Sequence, residues 1–259
     1  MYIFKRQFFI VLTLLPFLTF SQTIVDTELN LKQIDSSFHL FLNLSGNYAK
    51  GNVNMFLFNS NLTLGSRSKK NLYRLTFSNG LTKFSKTIYS ENLNSQFRFN
   101  HYTNAKSSIF AFTQLGKSLE AKIDLRFLVG VGYRFPIYTR NNNYIDLAFG
   151  PFYELEKYPL YEFNNEIYDS NTVETVRLSF NLFSNINITD NLSLMSTVYT
   201  QRQRDQIKDY RVYLNEYLTI KISDKISFLC QYMLRFRSVQ YVESIENDSS
   251  LSFGISLNL

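Results

Sequence analysis

Apolar and polar residues alternate with a period of two along most of this chain, most clearly in residues 123–155. There, two alternating runs flank the polar segment TRNNN. In the first run Leu125 and Phe127 share one face, whereas Arg126 lies on the opposite face. Successive side chains of a β-strand point to opposite faces, so each strand meets apolar surroundings on one side and polar ones on the other. Residues 123–155 therefore predict a β-hairpin.

The length of such runs favours strands that cross a membrane. Strands of soluble sandwiches usually have about 5 to 6 residues, whereas a tilted transmembrane strand needs roughly 9 to 11. Runs near the longer length recur along the chain as residues 37–49, 52–65, 72–81, 91–102, 108–119, 123–135, 144–155, 174–188, 192–203, 210–222, 226–238 and 251–259. They predict an all-β fold: a closed antiparallel transmembrane β-barrel of about 12 strands, within a range of about ten to fourteen.

The connections between these runs alternate in length. The shorter ones are residues 66–71, 103–107, 136–143, 189–191 and 223–225, and the longer ones include 84–90, 156–172, 204–209 and 239–250. Short periplasmic turns and longer extracellular loops are typical of a barrel inserted from one side. An even strand count leaves both ends of the chain on the periplasmic side, and pairing of the first strand with the last removes exposed edges.

Residues 1–21 have the features of a signal peptide. Lys5 and Arg6 precede the apolar run FFIVLTLLPFLTF, and Ser21 is a small residue at the predicted cleavage point. The run is shorter than the roughly 20 apolar residues that a transmembrane helix needs. We therefore expect three segments, namely a signal peptide at 1–21, a periplasmic lead at 22–36 and the outer-membrane β-barrel at 37–259.

The composition agrees with half-polar, half-aromatic strands. Aromatic residues make up 17% of the chain and charged residues 19%, with a mean hydropathy of −0.16; soluble domains average about 25% charged residues. Without Lys5 and Arg6, 25 basic and 21 acidic residues remain, a net charge of +4. This mild excess, without long basic blocks, does not indicate nucleic-acid binding. The single Cys230 excludes an intramolecular disulfide and indicates a small apolar strand residue.

The polar faces of the runs carry charged residues that would line the lumen. The candidate lumen-lining residues are Arg74, Arg98, Asp124, Arg126, Arg134, Asp146, Glu154, Arg177, Arg235 and Arg237. A hydrogen-bonded or water-filled interior needs polar lining with paired charges, which by itself accounts for them. Alternatively, a surplus of arginine at a constriction would favour anions, because rings of charge set the sign of the permeant ion.

Two features of the apolar faces also bear on a membrane location. Tyrosines suited to the membrane boundary occur near the predicted strand ends at Tyr48, Tyr73, Tyr133, Tyr144, Tyr153 and Tyr158. Glu216 conflicts with the pattern, since the phase of Leu214 and Leu218 would turn its carboxyl toward lipid. Because that placement is costly, we expect a bulge or a different phase there.

The sequence contains little that indicates catalysis. The two histidines, His39 and His101, lie on different predicted strands, with His39 facing inward and His101 beside a turn. Neither belongs to a recognisable metal-ligand pair, and a catalytic triad needs three groups within hydrogen-bond reach. Gly130 and Gly132 fit small inward residues that relieve crowding in a narrow barrel. We expect no catalytic residue, metal site or cofactor.

Three segments carry a resemblance to a known family: SGNYAKGNVNMF, LRFLVGVGYRF and YIDLAFGPFYELE. Together they resemble a bacterial outer-membrane β-barrel domain of unknown function, the salt-induced outer membrane protein family. The resemblance implies a barrel in a Gram-negative outer membrane and brings no catalytic residues. The carboxyl end is similar to the last-strand signal read by the barrel-assembly machinery, although it ends in Leu259 where Phe is usual.

These patterns together predict a non-enzymatic outer-membrane protein, either structural or forming a narrow pore with a polar, Arg-rich lumen. Its expected partners are outer-membrane lipid and, through the last strand, the barrel-assembly machinery, with no nucleic acid. Two alternatives remain open. One is a lipid hydrolase, with His39 as the residue to test, and the other is a surface interaction protein that uses the loop at residues 156–172.

Overall fold

The computed structural model of the protein describes residues 38–51, 54–104, 106–119, 121–163, 166–239 and 247–258. The signal peptide predicted at residues 1–21 and the periplasmic lead at 22–36 lie outside these residues. Most of the connection predicted at 239–250 and the terminal Leu259 lie outside them as well.

The described residues form fourteen β-strands. They are β1 (His39–Ala49), β2 (Met55–Ser68), β3 (Asn71–Phe84), β4 (Thr87–Tyr102), β5 (Ser108–Ser118), β6 (Ile123–Arg140), β7 (Asn143–Tyr158), β8 (Tyr161–Phe163), β9 (Glu166–Tyr168), β10 (Asn171–Asn187), β11 (Leu192–Gln203), β12 (Tyr210–Lys221), β13 (Ile226–Arg237) and β14 (Asn247–Asn258). None of the described residues belongs to a helix long and apolar enough to span a membrane.

Twelve of the strands close into one barrel, in the order β1-β14-β13-β12-β11-β10-β7-β6-β5-β4-β3-β2. The neighbouring strands are antiparallel throughout. The barrel closes where β1 pairs with β14, with Leu42 opposite Leu257 and Leu44 opposite Ile255. The prediction of a closed antiparallel barrel of 12 strands is therefore confirmed. The short strands β8 and β9 pair only with each other.

The two ends of the barrel differ in their connections. The end where β1 begins and β14 ends is called the turn end, and it includes the two-residue turns Lys69–Lys70 and Asn141–Asn142. The opposite end, the loop end, carries the connection that contains β8 and β9 and the connection at residues 204–209. The alternation of short turns and longer loops therefore holds in part.

Several strands are longer than the sequence pattern predicts. The longer connection expected at residues 84–90 is a two-residue turn, Ser85–Lys86, so that prediction is wrong. Likewise β6 continues beyond Pro136, with a register shift between Pro136 and Tyr138. A bulge inserts an extra residue and interrupts strict alternation, so the pattern read along the sequence ends before the strand does.

The outer surface of the barrel is apolar. Large hydrophobic side chains are exposed on strands all around it, at Leu44, Phe77, Leu93, Phe97, Ile109, Leu115, Val129, Val131, Phe149, Leu178, Phe180, Ile220, Phe228, Leu251, Phe253 and Ile255. Phe180 is 59% exposed and Val131 54%. A continuous apolar exterior of this extent is not found on soluble monomers, where the largest exposed patches cover about 300–600 Å². The outer face is suited to hydrocarbon.

An aromatic layer crosses the interior toward the turn end. It is made of Phe110, Tyr144, Ala148, Phe183, Tyr199 and Tyr213. Glycine makes room for it, because a Cβ on Gly132 would lie 2.3 Å from Cζ of Phe110. Gly130 likewise leaves space beside Phe112, whose Cε1 would be 2.7 Å from an added Cβ. The small inward residues thus relieve crowding, as their spacing predicts.

Candidate functional site in the barrel lumen

A network of buried ion pairs occupies the lumen toward the loop end and is here called the loop-end network. Its carboxylates are Glu154 and Glu156 on β7 and Asp209 before β12, and its guanidinium groups belong to Arg126, Arg177, Arg211 and Arg237. Glu154 and Glu156 are 1% and 0% exposed. Being two residues apart on one strand, they point to the same side, and their neighbour Leu155 points outward.

Glu154 lies between two arginines. Arg177 donates from Nε to Oε2 of Glu154 at 2.6 Å, and Arg211 donates from Nη1 to Oε1 at 2.7 Å. Both oxygens of the carboxylate are therefore engaged by charged donors, which form shorter and stronger hydrogen bonds than neutral ones.

Glu156 is the second centre of the network. Arg126 donates to its Oε1 from Nε at 2.6 Å, and Nη2 of Arg237 lies 3.4 Å from the same oxygen. Its Oε2 accepts hydrogen bonds from Tyr158 and from Nη2 of Arg211, the latter at 3.3 Å. Arg211 thus joins the two glutamates, so that β6, β7, β10, β12 and β13 are all tied together through the lumen.

Asp209 extends the network into the connection between β11 and β12. The two guanidinium nitrogens of Arg177 reach its two carboxylate oxygens, with Nη1–Oδ1 at 3.0 Å and Nη2–Oδ2 at 2.8 Å. This is a bidentate pair, a geometry that the planar guanidinium group favours. With four arginines and three carboxylates, the loop-end network carries a net charge of +1.

Three of the remaining buried arginines contact an aspartate, aromatic rings or an amide. Arg134 binds Asp146 through Nε and Nη2 at 2.9 and 2.8 Å and lies over the ring of Phe183. Arg98 lies over the ring of Phe110, 4.1 Å from its centroid. Nη2 of Arg74 donates to Oδ1 of Asn100 at 3.1 Å. Altogether the described residues bury eight arginines against four carboxylates, an excess of four positive charges.

The free space in the lumen is unevenly divided. A cavity of about 70 Å³ lies between the loop-end network and the aromatic layer, bordered by Arg126, Glu154 and Tyr199. A much larger cavity of about 840 Å³ opens at the turn end. Asparagine, serine, threonine and lysine side chains dominate its lining, including Asn143, Asn185, Ser227 and Lys221.

One side of the lumen is lined by small polar residues that are only half buried. This side, here called the polar wall, comprises inward residues of β14, β1 and β2: Asn43, Ser45, Asn59, Asn61, Ser250, Ser252 and Ser256. In contrast, the inward residues of β4, such as Asn92, Gln96 and Asn100, are buried. The polar side chains of this wall are therefore smaller and less deeply buried than those of β4.

Nine of the ten candidate lumen-lining residues have buried side chains on inward-facing positions: Arg74, Arg98, Arg126, Arg134, Asp146, Glu154, Arg177, Arg235 and Arg237. The exception is Asp124, which is exposed, whereas the preceding Ile123 is 2% exposed and buried. The register of β5 against β6 shifts between Gly116 and Ser118, so the alternation changes phase beside Asp124. The prediction that Asp124 lines the lumen is wrong for this reason.

Sequence reasoning missed Glu156, Asp209 and Arg211. Glu156 was assigned to a loop because the predicted strand ended at Leu155, whereas β7 continues to Tyr158. Continuing the alternation from Glu154 by one more step would have found it. Asp209 precedes β12, and no pattern within the chain marks it. Arg211 alternates with Tyr213 and Asn215, an inward set that was recognisable.

Two of the predicted boundary tyrosines lie inside the barrel. Tyr144 and Tyr158 are 2% and 3% exposed, and Tyr158 donates to Glu156. Tyr48 and Tyr73 are 70% and 39% exposed, as expected for the outer surface. A tyrosine at a strand end can point into the lumen or toward the outside, and the phase of the strand decides which.

The two histidines are far apart in the barrel wall. His39 stacks on Phe41 with ring centroids 5.8 Å apart, and His101 shares a 2.8 Å hydrogen bond between its Nδ1 and Oδ1 of Asn71. They belong to β1 and β4, which are separated by β2 and β3. Within the described residues, no group of three or more His, Cys, Asp and Glu is placed to hold a metal ion.

Comparison with solved structures supports the fold. The chain is similar to the outer membrane channel COG4313 from Pseudomonas putida F1, with 10% identity, a TM-score of 0.54 and coverage of 92% and 100% of the two chains. It is also similar to the translocator domain of the autotransporter NalP from Neisseria meningitidis, at 12% identity, TM-score 0.53 and 88% and 92% coverage. It is also similar to the NanC porin, at 8% identity, a TM-score of 0.52 and coverage of 85% and 100% of the two chains. The fold is thus that of outer-membrane β-barrels.

The sequence comparisons identify the protein family of the chain. No curated protein matches the chain. The family model DUF481, described as a protein of unknown function, matches residues 42–258. The chain belongs to this family, and the resemblance to a barrel domain of unknown function is confirmed; the match says nothing about induction by salt.

Proposed function

We propose that this member of DUF481 is a protein of the Gram-negative outer membrane that provides a narrow, anion-preferring water path along its polar wall. The apolar exterior supports the membrane location, since exposed side chains such as Val131 and Phe180 would face lipid. The fold shared with outer-membrane barrels supports the same location. Export by cleavage after Ser21 is part of the proposal and is tested by the amino-terminal mass of the mature protein.

The observation that carries the proposed path is the difference between the two halves of the lumen. The loop-end network and the aromatic layer occupy the lumen beside β5 to β7 and β10 to β13, on the loop-end side of the large turn-end cavity. Along the polar wall the serine and asparagine side chains are half buried, whereas Phe41 and Thr63, inward on β1 and β2 nearer the turn end, are buried. A narrow lumen lined by small hydroxyl and amide groups accommodates water and small polar solutes better than bulky ones.

The sign of the buried charge supports a preference for anions. The eight buried arginines exceed the four buried carboxylates of the described residues. Because the excess charge is fixed close to the path and is weakly screened in a narrow lumen, it raises the local concentration of anions. A barrel with this lining would conduct chloride better than potassium.

His39 stacks on Phe41 and His101 bonds to Asn71, and neither contact supplies the serine nucleophile of a lipid hydrolase, which favours a non-enzymatic role. A hydrolytic site needs a nucleophile, a base and an orienting group within hydrogen-bond reach. Serine-reactive probe labelling of the folded barrel, lost in His39→Ala, would favour the hydrolase instead.

Conductance through the purified barrel tests the proposal. In planar bilayers with a potassium chloride gradient, we expect small discrete conductance steps and a reversal potential displaced toward that of chloride. Arg235→Gln should reduce this displacement, because Arg235 lies inward on β13 beside the polar wall. Folded barrels that insert without any conductance would refute the pore and leave a structural role.

A further inference from the structure

The cavity of about 70 Å³ between the loop-end network and the aromatic layer is here called the central cavity. The charged residues that border it are three arginines and one carboxylate: Arg98 on β4, Arg126 on β6, Arg211 on β12 and Glu154 on β7. Each of the four is buried, with no more than 6% of its surface exposed. Over the described residues, the border of the central cavity therefore carries two more positive charges than negative ones.

The single carboxylate at this border is already engaged on both oxygens. Glu154 accepts from Arg211 at one oxygen and from Arg177, which lies outside the border, at the other. Its negative charge is therefore shared with a further arginine. The loop-end network as a whole has the same imbalance, with four arginines and three carboxylates among the described residues.

Arg211 also keeps a buried donor that no described group accepts. Its Nη1 and Nη2 donate to Glu154 and Glu156, whereas its Nε is buried and has no hydrogen-bond partner among the described residues. A donor on a charged group that is removed from water and left without an acceptor is costly. An acceptor with a negative charge beside Arg211 would therefore be favourable.

The other carboxylate of β12 does not supply this charge. Glu216 lies between Asn215 and Tyr217, which are both buried in the lumen, so its own side chain points to the outer face. There it accepts a hydrogen bond of 2.6 Å from Oγ of Ser196. The register of β12 with β11 and β13 is uninterrupted, so the bulge or change of phase expected from the sequence is absent. The carboxyl group of Glu216 is therefore not available to the central cavity.

We propose that the central cavity is a binding site for a small anion, of which chloride is the simplest. Its volume is several times the roughly 10–15 Å³ that one water molecule needs, so a small anion fits together with water. Buried charges are favourable only when they are paired, and an anion here balances the arginines at the border. None of the bordering residues belongs to β14, β1 or β2, so the site is separate from the path along the polar wall.

Bromide can replace chloride and is located by its anomalous scattering. Crystals of the full-length barrel transferred from chloride to bromide should show an anomalous peak in the central cavity. The peak should weaken in Arg98→Gln, because one of the three bordering positive charges is lost. Absence of the peak from the wild-type protein would overturn the proposal. A peak that is unchanged in Arg98→Gln, an adventitious ion only, would overturn it as well.

The linkage between anion binding and unfolding tests the site in solution. At constant ionic strength, replacement of gluconate, which is too large for the cavity, by chloride should raise the urea midpoint of unfolding. Once chloride exceeds its dissociation constant, a tenfold rise should lower the unfolding equilibrium constant about tenfold. Arg98→Gln should reduce this dependence on chloride.

Arg67→Gln is the matched control for Arg98→Gln. Like Arg98, Arg67 lies over an aromatic ring, with its guanidinium carbon 4.8 Å from the centroid of Tyr102, but it does not border the central cavity. Arg67→Gln should therefore keep the dependence of the wild-type protein on chloride. An equal loss of this dependence in both variants would overturn the proposal.

A carboxylate built into the border should replace the bound anion. Asn181 of β10 is buried, borders the central cavity and accepts a hydrogen bond from Ser179. Asn181→Asp keeps nearly the same shape and adds one negative charge, and it remains informative if Arg98→Gln does not fold. We expect a higher urea midpoint than that of the wild-type protein in gluconate, and a smaller dependence on chloride. A lower midpoint in both salts would overturn the proposal.

Discussion

Arg211 of β12 and Glu154 of β7 form an ion pair through the lumen, although β10 and β11 separate their strands in the barrel wall. Nη1 lies 2.7 Å from Oε1, and both side chains are buried. The ion pair spans the lumen and holds β12 at a fixed distance from β7. Its side chains also occupy space that a wide pore would need.

Loss of one carboxylate should strongly destabilise the barrel. Glu154→Gln leaves Arg177 and Arg211 buried without their shared anion, and breaking a buried pair costs about 3–5 kcal/mol. We expect a lower free energy of unfolding in urea, measured in detergent micelles by gel mobility. The matched control is Glu91→Gln at the exposed pair with Lys117, where the loss should be about 0–1 kcal/mol. Similar losses in the two variants would contradict a stabilising network.

The bidentate contact of Arg177 should hold the connection at residues 204–209 in place. In Arg177→Lys the ammonium group cannot engage both oxygens of Asp209 in the same way. We expect faster trypsin cleavage at Arg204 and Lys208, measured on the folded barrel. Arg204→Lys keeps a basic cleavage site at an exposed position and should leave the cleavage rate at Lys208 unchanged. Equal rates at Lys208 in wild type and Arg177→Lys would refute this role.

Neighbouring residues of β14 should affect conductance differently. Ser252 belongs to the polar wall and points into the lumen, whereas the side chain of Phe253 is 53% exposed on the outer face. Ser252→Trp should reduce single-channel conductance severalfold, because the indole ring enters a narrow path. Phe253→Trp should leave it unchanged, since tryptophan is tolerated at a lipid-facing position. Unchanged conductance in Ser252→Trp would place the path elsewhere.

Adding even a single methyl group at a glycine beside the aromatic layer should destabilise the barrel. In Gly132→Ala the new Cβ would lie 2.3 Å from Cζ of Phe110 and 2.7 Å from the backbone oxygen of Phe149. Overpacking of this kind costs about 1–3 kcal/mol, which we expect as a loss of unfolding free energy. Gly80→Ala meets the flexible side-chain oxygen of Asn59 at 3.0 Å and should cost less. The reverse order of stabilities would contradict the packing argument.

The sequence by itself determined the barrel. Alternation of apolar and polar residues has the period of the strand itself, so Leu125, Arg126 and Phe127 identify both the strand and the face of each side chain. About twelve repetitions with mostly short connections predicted the topology, because consecutive antiparallel strands joined by short turns lie side by side. The inward placement of Arg126, Arg134 and Arg177 follows from the same local rule.

Only the tertiary structure decided which of these residues meet. Glu156, Asp209 and Arg211 join the network across the lumen, and the contacts between strands as distant as β7 and β13 depend on barrel closure and shear, which no local pattern encodes. The bulge that turns Asp124 outward likewise depends on pairing with β5. Strand phase is a local property of the chain, whereas contact across the lumen is a property of the closed barrel. The candidate site is built from contacts across the lumen.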